Sequence, residues 1–233
     1  MDECREWYDE QYKSEHSEQH FPNEELCRFL YRCFPNKQDR SKIRVVEVGC
    51  GEGANLLYMS REGFDVYGID YSNESIFQVP ILYSDYQQEL PKITCQNMMD
   101  MSFCDGFFDV VVDVFSTNCL TEAQYDSFLV ELHRILKDDG LYFSFTPSKG
   151  SDAFKNYQPS SMIDASTLNG ISRPDSPYAG NQYPFRFMSV DEAQYHVEQN
   201  GMKVEYLETL SRSYFKRKEQ FEFLLIQAVK TNT

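Results

Sequence analysis

The residue types that can do chemistry concentrate in one short stretch. Val45-Val46-Glu47-Val48 is a β-branched run that leads directly into Gly49-Cys50-Gly51-Glu52-Gly53-Ala54, with glycine at alternate positions. A loop of this kind turns tightly and lets the backbone approach a ligand with no side chain in the way. Gly49, Gly51 and Ala54 satisfy the Gly-x-Gly-x-x-Gly/Ala fingerprint of a dinucleotide site, and Asp70 follows about 20 residues later, where a ribose-binding acid belongs. Charge separates the ligand classes that remain. Glu47 precedes the loop and Glu52 lies within it, so a pyrophosphate there would face carboxylates. Two unit charges about 4 Å apart at an effective dielectric of about 20 interact by about 4 kcal/mol. The loop therefore favours a ligand that is cationic beside Glu47 and carries a ribose beside Asp70. Cys50, a small side chain between two glycines, is read as a steric choice and not as a redox nucleophile.

Other candidates are weaker. His16 and His20 stand four apart, which places both on one helical face, but no third ligand accompanies them and no metal is expected. They are the weak candidates for a catalytic proton acceptor, should the segment that carries them fold over the site. His133 and His196 lie inside helical patterns and read as structural or surface residues. Tyr178-Ala179-Gly180-Asn181-Gln182-Tyr183-Pro184-Phe185-Arg186-Phe187 either walls a small-molecule pocket, with Arg186 holding a carboxylate or phosphate, or seals an insertion onto the core. Arg212, Lys216, Arg217 and Lys218 form a basic cluster between the last two strands. It either meets an anionic ligand or is an exposed hairpin loop, the plainer reading.

The elements that must position these residues follow from periodicity. Residues 1–40 form a polar, acidic, helical extension in which Leu26, Phe29, Leu30 and Phe34 recur at helical spacing. Residues 41–233 form the main domain. Strands are expected at 43–48, 65–69, 93–97, 108–112, 141–145, 202–207 and 221–229. Helices are expected at 54–62, from Ser72 or Asn73 until an interruption near Pro80, at 121–137 behind a Thr121/Gln124 capping box, and at 189–200 before Gly201. Residues 147–187, rich in Ser, Pro, Asn and Gly, have no sustained period and read as a lid insertion after the fifth strand. The fold class is α/β: a doubly wound, Rossmann-like, seven-stranded and mostly parallel sheet, with its ligand at the carboxyl ends of the first and neighbouring strands.

On these residues the chain resembles the class I S-adenosylmethionine-dependent methyltransferases of the small, type-11-like group. Glu47-Val48-Gly49-Cys50-Gly51-Glu52-Gly53 is similar to that family's first motif and Gly68-Ile69-Asp70-Tyr71-Ser72 to its second. The run from Gln96 to Asp109 resembles the third, and Arg134-Ile135-Leu136-Lys137-Asp138-Asp139-Gly140 the turn before the fifth strand. The resemblance implies that S-adenosylmethionine is bound, with S-adenosylhomocysteine as product. It implies Glu47, Gly49, Cys50, Gly51, Gly53, Asp70, Tyr71 and Asp113 as cofactor residues, with Asp70 on the ribose and Tyr71 on the adenine. Aligning 105–109 with the family's Asp-Gly-x-Phe-Asp gives Asn97 and Met98 the adenine-edge positions, with Asp100 as the competing assignment. The aromatic opening Trp7-Tyr8-Asp9-Glu10-Gln11-Tyr12 is similar to the segment with which small members close over the cofactor, or else it anchors the first helix. This adds Tyr12 to the cofactor set. Tyr8, Phe115, Tyr183 and Arg186 are the expected acceptor-side residues. Cys119 stands where many relatives carry a histidine.

The expected activity is methyl transfer to an oxygen, nitrogen or carbon nucleophile of a small molecule. Aminopropyl transfer, protein methylation and a non-catalytic cofactor-binding module are the alternatives. Composition narrows the partners. Twenty-two basic against thirty-seven acidic residues leave a net charge of −15 in a chain of 233 residues, which disfavours nucleic acid. No apolar run approaches the roughly 20 residues that span a bilayer, and the first residues, Met1-Asp2-Glu3-Cys4-Arg5-Glu6, lack the pattern of a signal peptide. Seven scattered cysteines without a Cys-x-x-Cys pair suggest a reducing cytoplasm.

Overall fold

In a computed structural model that describes residues 2–14 and 21–231, α1 (Asp2–Ser14) and α2 (Glu24–Cys33) precede β1 (Arg44–Val48). There follow α3 (Ala54–Arg61), β2 (Asp65–Asp70), α4 (Asn73–Asp85), β3 (Lys92–Cys95), β4 (Phe108–Val114), α5 (Glu122–Ile135) and β5 (Leu136–Pro147). The insertion carries α6 (Asp152–Lys155), β6 (Thr167–Leu168) and β7 (Phe185–Arg186), and α7 (Val190–Gln199), β8 (Met202–Tyr214) and β9 (Glu219–Lys230) complete the chain. The sheet order is β3-β2-β1-β4-β5-β9-β8. β1 pairs in parallel with β2 on one side and β4 on the other, so the crevice opens beyond Val48, where the neighbours diverge.

Both faces of the sheet are covered, as buried parallel strands require. Leu26, Leu56, Val79, Tyr83, Phe143 and Phe223 belong to one apolar layer. Phe108, Phe128, Leu132, Tyr142 and Val197 belong to the other. α2 docks through Leu26, Phe29 and Leu30, and the Phe29 ring stacks on Phe143 at 5.0 Å. α5 and α7 each begin with a capping box, Thr121/Gln124 and Ser189/Glu192.

Three expectations are corrected. α4 runs through Pro80 to Asp85. Pro80 is exposed, so the carbonyl it leaves unbonded can meet solvent, while Val79, Leu82 and Tyr83 hold the apolar face on both sides. The fifth strand starts at Leu136, opposite Phe108, but its register breaks until Leu141 pairs with Val110, which accommodates the Asp138-Asp139-Gly140 turn as an irregularity. Residues 147–187 carry defined elements: Thr167 and Leu168 pair with Arg186 and Phe185, and Arg173 forms an ion pair with the buried Glu219 at 2.7 Å.

β8 and β9 are longer than expected and reach beyond the carboxyl edge of the sheet. Val48 pairs with Asp113, Asp113 with Ser144, Ser144 with Ile226, and Ile226 with Leu207. Residues after Leu207 on β8 therefore stand above the crevice.

One cap links the extension to the centre. The Asn23 side-chain oxygen accepts from the N–H groups of Glu25 and Leu26 at 2.9 and 3.0 Å, and its own N–H donates to Asn55 Oδ1 at 2.8 Å. Replacing an N-cap of this type costs about 1 kcal/mol. Asn23→Ala is expected to lower the unfolding free energy by that amount in urea titrations, and Asn23→Asp is expected to retain most of it.

Candidate active site

The glycine loop is shaped by what approaches it. Gly49, Gly51 and Gly53 have φ of +68°, +52° and +89°. Gly49 is obligatory twice over, because a Cβ there would also fall 2.2 Å from Ser116 Cβ. Ser116 Oγ donates to the Val48 carbonyl at 2.6 Å and closes the loop against the end of β4.

Glu47, at 1% exposure, is the buried carboxyl of this centre. Its Oε1 accepts from Asn55 Nδ2 at 2.6 Å, whereas Oε2 is buried with no hydrogen-bond partner among the described residues. Burial pushes its pKa up to about 8, the Asn55 hydrogen bond opposes the shift, and Asp113 and Asp70 add to it. A buried carboxyl with a free oxygen is a receptor for a cationic donor. Asp70 ends β2. Its Oδ2 accepts from Gly51 N at 2.9 Å and its Oδ1 from Ser72 N at 2.8 Å. Burial raises its pKa and these N–H groups lower it.

Two cavities meet at the loop. The first, about 700 Å³, is lined by Asp70, Tyr71, Asn97, Met98 and Cys119, and from α1 by Arg5, Tyr8 and Tyr12. α1 is held over it: Ser72 Oγ donates to Asp9, Lys13 pairs with Glu74 at 3.3 Å, and Arg5 lies 5.3 Å from the centre of the Tyr71 ring. The second, about 1000 Å³, is lined by Glu47, Cys50 and the rest of the glycine loop on one side. Phe145, Tyr178, Arg212, Tyr214 and Phe223 line its other side. Tyr12, Gly49 and Phe115 line both. The Tyr12 hydroxyl has its pKa raised well above its usual value, by burial first and then by Asp70, Cys50, Glu52 and Glu47.

Several expected site residues have other work. Asp113 lines neither cavity: it is fully buried and accepts from Ser116 N and Oγ, Thr117 N and Oγ1, and Ser144 Oγ at 2.6 to 3.1 Å. Its carboxylate organises the turn after β4 and does not face a ligand. Arg186 is 1% exposed, donates to the carbonyls of Leu120 and Thr117 at 3.2 and 2.9 Å, and covers the Tyr125 ring at 3.6 Å. It cannot clamp an acceptor anion. Tyr183 meets Trp7 at 5.5 Å and ties the insertion to α1 without lining either cavity. Asp100 is exposed and outside the first cavity, whereas Asn97 lines it and accepts from Met99 N at 3.0 Å. His16 and His20 lie outside the described residues. His133 packs on Gly201, and His196 bonds Asp126 at 2.7 Å. Among the described residues no group of three His, Cys, Asp or Glu could hold a metal.

Residues the sequence reading missed are Asn55, Ser116, Phe145, Tyr214 and Phe223, and Arg212, which the sequence reading weighed only as part of a basic cluster, lines the second cavity. Asn55 and Ser116 directly follow recognised motifs and were within reach. Arg212 and Tyr214 depend on the extension of β8 beyond the expected 202–207, which alternation alone did not reveal, whereas Phe145 and Phe223 lie in expected strands but are turned to the cavity by packing.

The Glu47 shift has a stability consequence. Its folded pKa lies above its ordinary value of 4.5, so the folded state holds the proton more tightly. Its contribution to stability is full below about pH 4.5 and is lost as pH rises to about 8. Between those limits the unfolding free energy of Glu47→Gln is expected to fall less with pH than that of the wild type, as read by urea denaturation at stepped pH.

Comparison with known proteins follows the same lines. Residues 46–144 match the family described as a methyltransferase domain. An uncharacterized methyltransferase of Synechocystis sp. is 28% identical over 101 residues, 42% of this chain and 44% of the relative. A fatty-acid O-methyltransferase of Mycolicibacterium smegmatis is 30% identical over 132 residues, 54% of this chain and 46% of the relative. The chain thus spans less than half the length of these curated relatives. The crystal structure of Burkholderia thailandensis 1,6-didemethyltoxoflavin-N1-methyltransferase, with 1,6-didemethyltoxoflavin and S-adenosylhomocysteine bound, superposes with a TM-score of 0.62 at 13% identity. That superposition covers 98% of this chain and 87% of the other. Residues 46–144 thus carry the kinship, to the methyltransferase domain, and the full-length superposition shows a shared architecture.

Proposed function

We propose that the chain transfers the methyl group of S-adenosylmethionine to a small-molecule acceptor held in the second cavity. The observation that carries this reading is the unpartnered, buried Oε2 of Glu47, a residue of the second cavity's wall, beside the seam of Tyr12, Gly49 and Phe115. The residues present fit the cofactor: Glu47 would take its ammonium and Asp70 its ribose hydroxyls. Tyr71, Asn97 and Met98 would wall the adenine, with Tyr12 closing over the glycine loop. When bound, S-adenosylmethionine supplies a methyl carbon already activated by the sulfonium charge. What remains for the chain is alignment and exclusion of water, and alignment alone is worth about 7 to 11 kcal/mol.

The ring-lined walls suit that task. The Tyr12 and Tyr178 hydroxyls keep their protons because burial raises both pKa values, so they orient an acceptor better than they deprotonate one. The acceptor in this reading brings its own lone pair, as a carboxylate, thiolate or unprotonated nitrogen does. Tyr12 of α1, Phe21 and Asn23 ahead of α2, and Tyr178 of the 147–187 insertion close the acceptor side. The net charge of −15 supports a metabolite over a nucleic acid. The six free cysteines among the described residues suit a cytoplasmic site of action, and none of the described helices is long and apolar enough to cross a membrane.

Calorimetry with S-adenosylhomocysteine tests the binding half. Saturable uptake is expected, and uptake of a nicotinamide dinucleotide in its place would refute the reading. Because the cation needs ionised Glu47, apparent affinity is expected to rise about tenfold per pH unit below a Glu47 pKa of about 8 and to level off above it. Glu47→Gln is expected to bind weakly without that slope, and Asp70→Asn to lose about tenfold or more in affinity. Incubation with methyl-labelled S-adenosylmethionine and a metabolite panel then reads transfer directly.

A further inference from the structure

The far end of the second cavity carries a cation that the described structure leaves unneutralised. Arg212 lines that end from β8, with its guanidinium 5.8 Å from the centre of the Phe223 ring. No carboxylate among the described residues forms an ion pair with it, although acids outnumber bases by 15 in the chain. Lys216, Arg217 and Lys218 stand apart from it, exposed in the turn after Tyr214. Arg212 alone of this cluster reaches the cavity.

Between Arg212 and the glycine loop the lining is aromatic. Phe115 stacks on Tyr178 at 4.5 Å and 23°, and Phe145 on Phe223 at 4.7 Å and 17°. Each pair is closed on itself and Phe115 also meets Phe223 at 5.9 Å, so a ligand ring packs against the half-buried Phe115–Tyr178 pair, while a guanidinium fork fits a carboxylate. Position argues that this carboxylate is the acceptor's and not the cofactor's. β8 is four strands from β1 in the sheet order, about 19 Å at about 4.8 Å per strand. Arg212 also stands five residues beyond Leu207, the residue level with Val48. The ammonium and carboxylate of the cofactor share one carbon, so a cofactor docked on Glu47 has its carboxylate near the loop.

We infer that the second cavity selects an aromatic acid, its ring against the Phe115–Tyr178 lining and its carboxylate on Arg212. The inference rests on the methyl-transfer reading above and names the acceptor class for that same site.

The test uses indole-3-acetate and 4-hydroxyphenylacetate, each against its carboxamide, titrated into the full chain saturated with S-adenosylhomocysteine. The acids are expected to bind at least about tenfold more tightly than the amides, the range for one charge-assisted contact. Arg212→Gln is expected to erase that preference and Arg212→Lys to keep part of it. Both should leave S-adenosylhomocysteine affinity within about twofold and the thermal midpoint unchanged, as for an exposed position. Equal binding of acids and amides, no binding by any probe, or an Arg212→Gln loss confined to S-adenosylhomocysteine would each overturn the inference while the methyl-transfer reading stands. Failure of the wild type to take up S-adenosylhomocysteine would overturn that reading, and the inference with it.

Discussion

A carboxyl group enclosed at the end of a central strand, bonded through one oxygen and bare at the other, is the constraint around which this molecule is organised. Taking an ionised carboxylate out of water costs several kcal/mol unless a partner repays it. Glu47 is held at that position by the register of β1 between β2 and β4 and by a relay from Asn23 through Asn55. The relay ties α2, α3 and β1 to one point, so the helical extension is part of the site's construction. The same burial that penalises the bare anion makes a cation at that spot worth more than it would be in water.

A second constraint fixes where the two cavities touch. Phe115 is one of the non-glycine residues with positive φ, at +59°. Such a backbone persists only when its surroundings impose it. Here the imposition is visible: Phe115 N donates to the Phe145 carbonyl at 2.8 Å, and the Asp113 carboxylate gathers the N–H and hydroxyl groups of Ser116 and Thr117 just beyond. Asp113 thereby places a ring it never touches through a ligand, and Ser116 presses on the one residue, Gly49, that can yield to it.

The fold was largely legible because its signals are local. The β-branched runs at 44–48 and 108–114 and the capping boxes at Thr121 and Ser189 declare themselves within a few residues. The glycine loop and Asp70 stood out for the same reason and do line the cavities, as does Asn97, which only the family alignment singled out. What escaped depends on distant packing. Nothing local distinguishes an arginine that clamps a ligand from one that satisfies two carbonyls over a tyrosine, which is the position of Arg186. Arg212 was grouped with Lys216, Arg217 and Lys218 by proximity in sequence, but strand pairing turns it toward the cavity and leaves the other three in the turn. Pro80 misled because a proline's cost in a helix depends on whether its face is wet.

The long final hairpin carries a consequence for how such a chain can diversify. β8 is an edge strand, paired only with β9, and the stretch of it above the crevice shares no hydrogen bond with β1 or β2. Substitutions in well-separated, unconnected places add nearly independently. Variation along residues 208–214 can therefore remodel one wall while the nucleotide-facing wall stays as it is. The architecture separates the part that must stay constant from the part free to drift, with Tyr12, Gly49 and Phe115 as the narrow seam between them.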